Sequence, residues 1–234
     1  MVRVILELAS PLRIRYRDSF HAALVTALRA SGAAEEAVIG PIAAPWTFAV
    51  AGRSFTGGGS RIHQAMISTA DPALGEILTK LDPATIRHVS SNGDRIDLAG
   101  ASLRSEPLPL HVGQHMLTVG FASPFLIAER GAAKKGYVRC IAGLDLSAAF
   151  SAGLSRRLRR LVHLEAIPDP LSARTDGAQP VLVRVRKSGT RDLILPALSV
   201  ILTLCGDPAD LRDAYLGGLG EKTRYGFGCP VVLA

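Results

Sequence analysis

The sequence predicts an α+β protein built from two successive βαββαβ units. Runs rich in Val, Ile and Leu alternate with segments of helical periodicity, and the same order of elements occurs twice. A proline-rich stretch, residues 105–110, separates the two series and is typical of a linker. We therefore expect one domain in residues 1–104 and a second in residues 111–234.

The first unit is expected to begin with a strand at residues 2–9 that Pro11 ends. A helix at residues 20–30, capped by Asp18 or Ser19 and ended by Gly32, should follow. The remaining elements are expected to be strands at 46–51, 63–69 and 95–103 and a short helix capped by Asp71, with turns at 57–59 and 92–93.

The second unit is expected to repeat this order. The apolar patterns predict strands at 116–128, with a break at Pro124, and at 181–187, 193–204 and 227–233, and helices at 145–164 and 208–216. Pro196 and the short length of the apolar run at 193–204 exclude a membrane-spanning helix there, so a buried strand is expected. An order of βαββαβ is the split βαβ of ferredoxin-like folds, and the predicted fold class is therefore tandem ferredoxin-like.

The charge balance favours an acidic partner. The net charge is +7, and 22 of the 27 basic residues are Arg, whose planar guanidinium forms bidentate bonds to phosphate. Aromatic residues are only 5% of the chain, which argues against a wide stacking platform for single-stranded bases. Nucleic acid is the partner that these features fit best.

Other sequence features favour a cytoplasmic protein. The apolar run at the N-terminus is too short for a signal peptide and is interrupted by Glu7, and no segment is expected to enter a membrane. Cys140, Cys205 and Cys229 lack C-x-x-C spacing, so we expect reduced, buried thiols.

The most distinctive segment is GLGEKTRYGFG, residues 218–228, hereafter the glycine loop. Four of its eleven residues are glycine, which predicts positive φ angles or a close backbone approach. An ATP-type phosphate loop is excluded because Glu221 precedes Lys222 and no helix can follow. Two interpretations remain: a structural turn with its charges in water, or a grip on a nucleic-acid backbone through Lys222 and Arg224.

Basic residues recur at three other places. In RIRYR, Arg13, Arg15 and Arg17 would share one face of an extended chain, with Tyr16 on the other. The second place is a glycine-flanked loop with Lys134 and Lys135. The third is the predicted helix at 145–164, where one arc would carry Arg156, Arg157, Arg159 and Arg160. Each is either a solvated basic surface or a set of phosphate contacts.

The histidines give one catalytic candidate and no metal site. His21 lies in the predicted first helix, where an imidazole without a role and a general acid or base are both possible. His111 and His115 have i, i+4 spacing, but Gly113 separates them and no Glu follows His111, so we expect no zinc.

The glycine loop resembles that of the repeat-associated mysterious protein (RAMP) superfamily. Its G-h-G-x-x-x-x-x-G-h-G pattern is filled without a gap by Gly218, Leu219, Gly220, Gly226, Phe227 and Gly228. Within that superfamily the chain most resembles the CRISPR repeat-processing endoribonucleases, which have two ferredoxin-like domains. The order of elements matches over most of the chain, and residues 32–110 match only loosely.

This resemblance implies a function. These enzymes cut precursor CRISPR RNA within each repeat without a metal or cofactor, by attack of a 2′-hydroxyl that leaves a 2′,3′-cyclic phosphate. It assigns His21 as general base or acid, with Tyr16 as a candidate partner although the offset differs. The basic residues and the glycine loop would hold the repeat stem-loop, and other subunits of a class 1 effector complex are implied partners.

Two alternatives stay open from the sequence. One is a non-catalytic RNA-binding subunit of the same superfamily within a CRISPR effector complex. The other is a basic ferredoxin-like RNA-binding protein outside CRISPR.

Overall fold

A computed structural model describes residues 1–40, 44–55, 59–91, 93–129 and 136–233. Before residue 110 the elements are β1 (Val2–Ile14), α1 (Arg17–Ala30), α2 (Glu35–Val38), β2 (Trp46–Phe55), β3 (Gly59–Thr69), α3 (Pro72–Thr79), β4 (Arg87–Val89), β5 (Arg95–Asp97) and β6 (Ser102–Glu106). After it come β7 (Met116–Ser123), α4 (Leu146–Leu158), β8 (Leu164–Pro168), α5 (Pro170–Thr175), β9 (Val181–Ser188), β10 (Arg191–Ala197), β11 (Leu202–Gly206), α6 (Pro208–Gly217) and β12 (Cys229–Val232).

Two four-stranded antiparallel sheets form the frame of the molecule. Their strand orders are β6-β1-β3-β2 and β12-β7-β11-β8. In each sheet the first strand lies between the third and the fourth, which is the arrangement of a ferredoxin-like βαββαβ unit. The predicted tandem ferredoxin-like fold class is therefore confirmed.

The apolar face of α1 explains how it packs on the first sheet. Phe20, Leu24 and Leu28 are spaced four residues apart, and each is fully buried in the first core. Burial of side chains of this size contributes about 1.5 to 3 kcal/mol each. Asp71 caps α3 as expected, accepting a hydrogen bond of 2.8 Å from the amide of Leu74.

The first strand and the start of α1 differ from the expectation. Pro11 does not end β1, because a register shift between Glu7 and Leu12 accommodates the proline and the strand continues to Ile14. Helix α1 begins at Arg17, and neither Asp18 nor Ser19 caps it.

The segment that leads into α1 is held by a distant residue. The carboxylate of Asp94 accepts hydrogen bonds from the amides of Arg15 (3.0 Å) and Tyr16 (2.9 Å) and from the hydroxyl of Ser19 (2.9 Å). A side chain from another loop thus binds the two amides before the helix and one hydroxyl in its first turn.

Three other predicted elements are wrong in extent. The helix expected at 145–164 ends at Leu158, because Arg159 adopts a left-handed conformation and residues 164–168 pair with β11. The run 193–204 is two strands, since β10 pairs with β9 whereas β11 lies in the second sheet. The run 95–103 is also divided, and Ser105 and Glu106 of the expected linker belong to β6.

The cysteines differ from the expectation. All three cysteines are unpaired, but only Cys229 is buried, so the expectation of burial is wrong for Cys140 and Cys205. Asn92, Lys134, Lys135 and the turn residues 57–58 lie outside the described residues. No helix in the described ranges is long and apolar enough to cross a membrane.

Candidate active site

The glycine loop follows α6 and is closely packed against the protein itself. All four glycines have positive φ: Gly218 (+80°), Gly220 (+82°), Gly226 (+77°) and Gly228 (+62°). A Cβ atom at Gly228 would lie 1.7 Å from the carbonyl oxygen of Leu219, and one at Gly226 would lie 2.6 Å from the ring of Phe48. The predicted positive φ and close approach are both present, and they are requirements of the fold.

Two arginines of α4 bind the glycine loop. The guanidinium of Arg157 donates hydrogen bonds of 2.7 Å to the carbonyl oxygens of Gly218 and Gly220, and its burial lowers the pKa of Arg157 to about 10. Arg156 is exposed and forms an ion pair of 2.7 Å with Glu221. Two of the predicted RNA ligands are thus also supports of the loop.

Of the two basic residues of the loop, Arg224 binds the protein and Lys222 is exposed. Arg224 donates a hydrogen bond of 2.9 Å to the carbonyl of Gly40, and partial burial lowers its pKa. Lys222 is exposed, and its ammonium lies 5.3 Å from the ring centre of Tyr225. Lys222 is therefore the more accessible cation of the pair.

His21 of α1 lies directly against the glycine loop. Its ring stacks on that of Tyr225, with 4.3 Å between ring centres and 28° between planes. Trp46 is nearly parallel to the imidazole at 6.0 Å, and His21 is only 8% exposed. The structure brings together the two features that the sequence singled out separately.

Asp18 faces the same imidazole. Its Oδ1 lies 3.8 Å from Nδ1 of His21. The proximity of His21 holds the pKa of Asp18 below its usual range, against the opposing effect of partial burial, and Arg186 and His88 add to the lowering. This carboxylate therefore remains charged beside the histidine at neutral pH.

Tyr16 contacts a different part of the molecule. Its hydroxyl donates a hydrogen bond of 2.9 Å to Asp192 on the β9–β10 hairpin, and this bond together with burial raises the pKa of Tyr16. Asp192 also accepts from Nε of Arg184 at 3.0 Å. Tyr16 thus fixes the hairpin to the start of α1, and its suggested catalytic role stays a prediction.

The three arginines of RIRYR do not share one face. Arg13 and Arg15 are exposed, whereas Arg17 begins α1 and turns inward. The guanidinium of Arg17 donates to the carbonyl of Gly226 and lies 5.1 Å from the ring centre of Phe227. Its burial lowers the pKa of Arg17 to about 10. The expectation is wrong for Arg17 because the chain is helical, not extended, from that residue onward.

Two clefts meet at Arg15. One, of about 360 Å³, is lined by Arg15, Arg17 and Arg184 together with residues of β2, β3 and β9. The other, of about 440 Å³, is lined by Arg13, Arg15 and Arg95. We call this arginine-lined surface the basic groove. Arg13, Arg15 and Arg95 are exposed in it and can pair with the phosphates of an extended polyanion, whereas Arg17 turns inward and is bound to Gly226.

The remaining predicted basic residues lie apart from each other. Arg159 is exposed with φ of +55°, whereas Arg160 binds the buried carboxylates of Asp210 and Asp213, the latter at 2.7 Å. Arg159 and Arg160 therefore do not extend an arginine face of α4. Within the described ranges no three His, Cys, Asp or Glu side chains form a cluster able to hold a metal ion.

Comparison of the whole chain with solved structures identifies proteins of the same fold. Neither a protein-family model nor a curated protein sequence matches the chain. A solved structure of a Cas6-related gene from Pyrococcus furiosus matches with a TM-score of 0.72 at 15% identity, over 99% of this chain and 98% of that one. A RAMP protein binding different RNA substrates matches with a TM-score of 0.69 at 13% identity, over the full length of both chains. The chain has the fold of these two structures.

A structure of the CRISPR endoribonuclease Cse3 bound to a 19-nucleotide RNA also matches, with a TM-score of 0.53 at 14% identity and full coverage of both chains. At these identities the likeness is one of fold. The fold expected from the glycine loop and the order of elements is therefore confirmed for the whole length of the chain.

Several residues around His21 and the basic groove were not predicted from the sequence. Tyr225 was inside the distinctive loop, but no local signal connects it with His21 at the other end of the chain. Asp18 was noticed only as a possible helix cap. Arg95 and Arg184 carried no pattern, and only the meeting of separate loops at Arg15 reveals them.

Proposed function

We propose that this protein is a metal-independent endoribonuclease that cuts precursor CRISPR RNA within its repeats. The observation that carries the proposal is the contact between His21 and Tyr225, which joins the one catalytic candidate to the glycine loop. Proteins of the same fold support it, because the Cas6 and Cse3 structures include complexes with product and with RNA.

The proposed reaction is an in-line attack on the phosphodiester. The 2′-hydroxyl before the scissile phosphate loses its proton and its oxygen attacks phosphorus, while the bond to the 5′-oxygen breaks and that oxygen gains a proton. His21 serves as general base or general acid, since imidazole titrates near neutral pH. The products are a 2′,3′-cyclic phosphate and a 5′-hydroxyl.

Positive charge near the reacting phosphate stabilises the negative charge that develops in the transition state. Lys222 is proposed to supply this charge, because it is exposed on the loop and lies 5.3 Å from the ring centre of Tyr225, which stacks on His21. Arg15 and Arg184 of the basic groove are proposed to bind the neighbouring phosphates. Arg17 holds the loop against α1 through Gly226. The protein is proposed to retain the product stem-loop, mainly through phosphate contacts, since A-form RNA hides its base edges in a narrow major groove.

We further propose the organisation and setting of the protein. Residues 1–104 and 111–234 form two domains, a division supported by one apolar core from the first range and by a second that, apart from Ala70, comes from the second range. Other subunits of a class 1 CRISPR effector complex are the proposed protein partners, and the proposed location is the cytoplasm.

A second function, RNA binding without cleavage, is favoured by one observation. His21 is only 8% exposed beneath Tyr225, so little of its ring is open to a substrate. A non-catalytic RAMP subunit would use the basic groove and the loop as a grip alone.

The test is cleavage of the repeat RNA from the CRISPR array of the same genome, measured both with Mg²⁺ and in excess EDTA. Wild type is compared with His21→Ala and with His111→Ala, a matched removal of an exposed histidine outside the site. We expect a single cut by wild type and by His111→Ala, and binding without cutting by His21→Ala.

Each other outcome decides between the alternatives. Equal cutting by all three proteins removes the role of His21 and moves the chemistry to the arginines. Tight binding by wild type without any cut refutes the enzyme and supports the RNA-binding subunit. Cutting that EDTA abolishes refutes the metal-independent mechanism.

A further inference from the structure

We propose that Tyr225 and Asp18 are positioning residues for His21, so that the glycine loop itself orients the imidazole. The inference rests on the proposed function and extends it to two residues. Tyr225 lies on the face of the imidazole, and the carboxylate of Asp18 lies beside its Nδ1 edge.

The face of the ring is fixed by aromatic neighbours. Tyr225 stacks at 4.3 Å and Trp46 lies nearly parallel at 6.0 Å. Trp46 is itself immobile, because it is fully buried and its indole N–H donates a hydrogen bond of 3.1 Å to the carbonyl of Val38. The rotation of an imidazole about χ2 is otherwise broad, and these rings restrict it.

Tyr225 can act this way because its own backbone is held. It lies in a tight turn, where its amide donates to Lys222 at 2.9 Å and the amide of Gly226 donates to Thr223 at 2.9 Å. Arg17 binds the carbonyl of Gly226, and Arg17 is one helical turn before His21 on α1. The glycine loop is therefore bonded to α1 one helical turn from His21.

Asp18 acts at the edge of the ring. A carboxylate 3.8 Å from Nδ1 favours a proton on that nitrogen and leaves Nε2 as the nitrogen for the RNA. Two other charged or titratable groups act on this pair from elements packed on α1, His88 on β4 and Arg186 on β9, and Lys222 on the loop lies next to Tyr225. The carboxylate of Asp94 also reaches α1, but it binds the hydroxyl of Ser19.

The mechanistic consequence is a separation of binding from chemistry. RNA affinity depends on the basic groove, whereas the alignment of Nε2 depends on Tyr225 and Asp18. Misplacing a catalytic group by about 1 Å lowers rates by up to about 100-fold. We therefore expect variants of these two residues to lose cleavage rate while they keep RNA affinity.

The test reads the imidazole directly by NMR of ¹⁵N-histidine-labelled full-length protein without RNA. The signal of His21 is assigned with His21→Ala. We expect an Nδ1–H tautomer in wild type and a shift towards Nε2–H in Asp18→Asn, whereas Asp97→Asn, on the exposed strand β5, leaves the signal unchanged. Tyr225→Leu should remove the ring-current shift of the His21 protons, and Tyr225→Phe should retain it.

Single-turnover cleavage of repeat RNA is measured on the same proteins. We expect about 10- to 100-fold slower cutting by Tyr225→Leu and Asp18→Asn, rescue by Tyr225→Phe, and unchanged RNA affinity. Unchanged His21 signals in Tyr225→Leu and Asp18→Asn would overturn the inference, whether or not wild type cuts. Altered His21 signals in a wild type that cuts nothing would uphold the contacts and refute only the proposed enzyme.

Discussion

Replacement of Gly228 by alanine tests whether the glycine loop is fixed by its packing. Gly228 has φ of +62°, and an added Cβ would lie 1.7 Å from the carbonyl oxygen of Leu219. Gly189, in the turn of the β9–β10 hairpin, has nearly the same φ of +60° but no atom within 4 Å of an added Cβ. The pair of substitutions therefore shares its backbone strain and differs only in the steric clash.

The magnitudes follow from these contacts. Left-handed backbone costs an alanine about 1 to 2 kcal/mol at either position. At Gly228 the clash must also break the hydrogen bond from the amide of Leu219 to the carbonyl of Gly228, which is 2.8 Å long. The bond from the amide of Gly228 to Pro124, 2.9 Å long, is strained with it. Each buried group left unpaired costs about 1 to 3 kcal/mol.

Urea unfolding of Gly228→Ala and Gly189→Ala is the assay. We expect Gly189→Ala to lower the free energy of unfolding by about 1 to 2 kcal/mol and Gly228→Ala by about 3 to 6 kcal/mol. RNA affinity should fall only in Gly228→Ala. Equal destabilisation of the two variants would show that the loop relaxes freely around Gly228, and the argument from close packing would then be wrong.

Three further predictions concern stability and the loop. Arg160→Ala removes the cation that binds both Asp210 and Asp213, although Asp210 keeps the amide of His163 and Asp213 keeps Arg212 at 3.7 Å. The change should cost about 1 to 3 kcal/mol in chemical unfolding, whereas Arg159→Ala, at an exposed residue, should change stability little; equal effects of the two substitutions would contradict this. Burial raises the pKa of Tyr215 from 10.0 to about 12, so the folded state keeps this proton longer. The free energy of unfolding of wild type, relative to that of Tyr215→Phe, should thus be constant below pH 10 and fall by about 2 to 3 kcal/mol as the pH rises to 12. If the two proteins show the same dependence of stability on pH, the argument from the buried tyrosine is wrong. Arg157→Lys should weaken RNA binding and lower unfolding free energy by about 1 to 3 kcal/mol, because an ammonium cannot bridge two loop carbonyls; wild-type values would remove Arg157 as a support.

Local patterns predicted most of the elements correctly where one physical signal dominated. The spacing of Phe20, Leu24 and Leu28 predicted α1, and Asp71 predicted the cap of α3. Predictions failed where a distant contact decided the outcome. Asp94 binds the residues that lead into α1 from far along the chain, and pairing with β11 makes the end of the expected helix at 145–164 into β8.

The candidate site shows the same division. The residues of the glycine loop and His21 were identifiable, because glycine clusters and a lone imidazole carry chemical information in the sequence itself. The inward turn of Arg17 and Arg224 was not, since hydrogen bonds to the backbone carbonyls of Gly226 and Gly40 form only after the chain has folded.

The sequence by itself determined the order of the elements, the basic charge and the glycine positions, since periodicity, composition and backbone freedom are properties of short segments. Only the tertiary structure decided that Tyr225 lies on His21, that Arg15 joins two clefts and that Asp18 faces the imidazole. Those contacts join segments far apart in the chain, and their geometry depends on the packing of α1, the β9–β10 hairpin and the glycine loop on the two sheets.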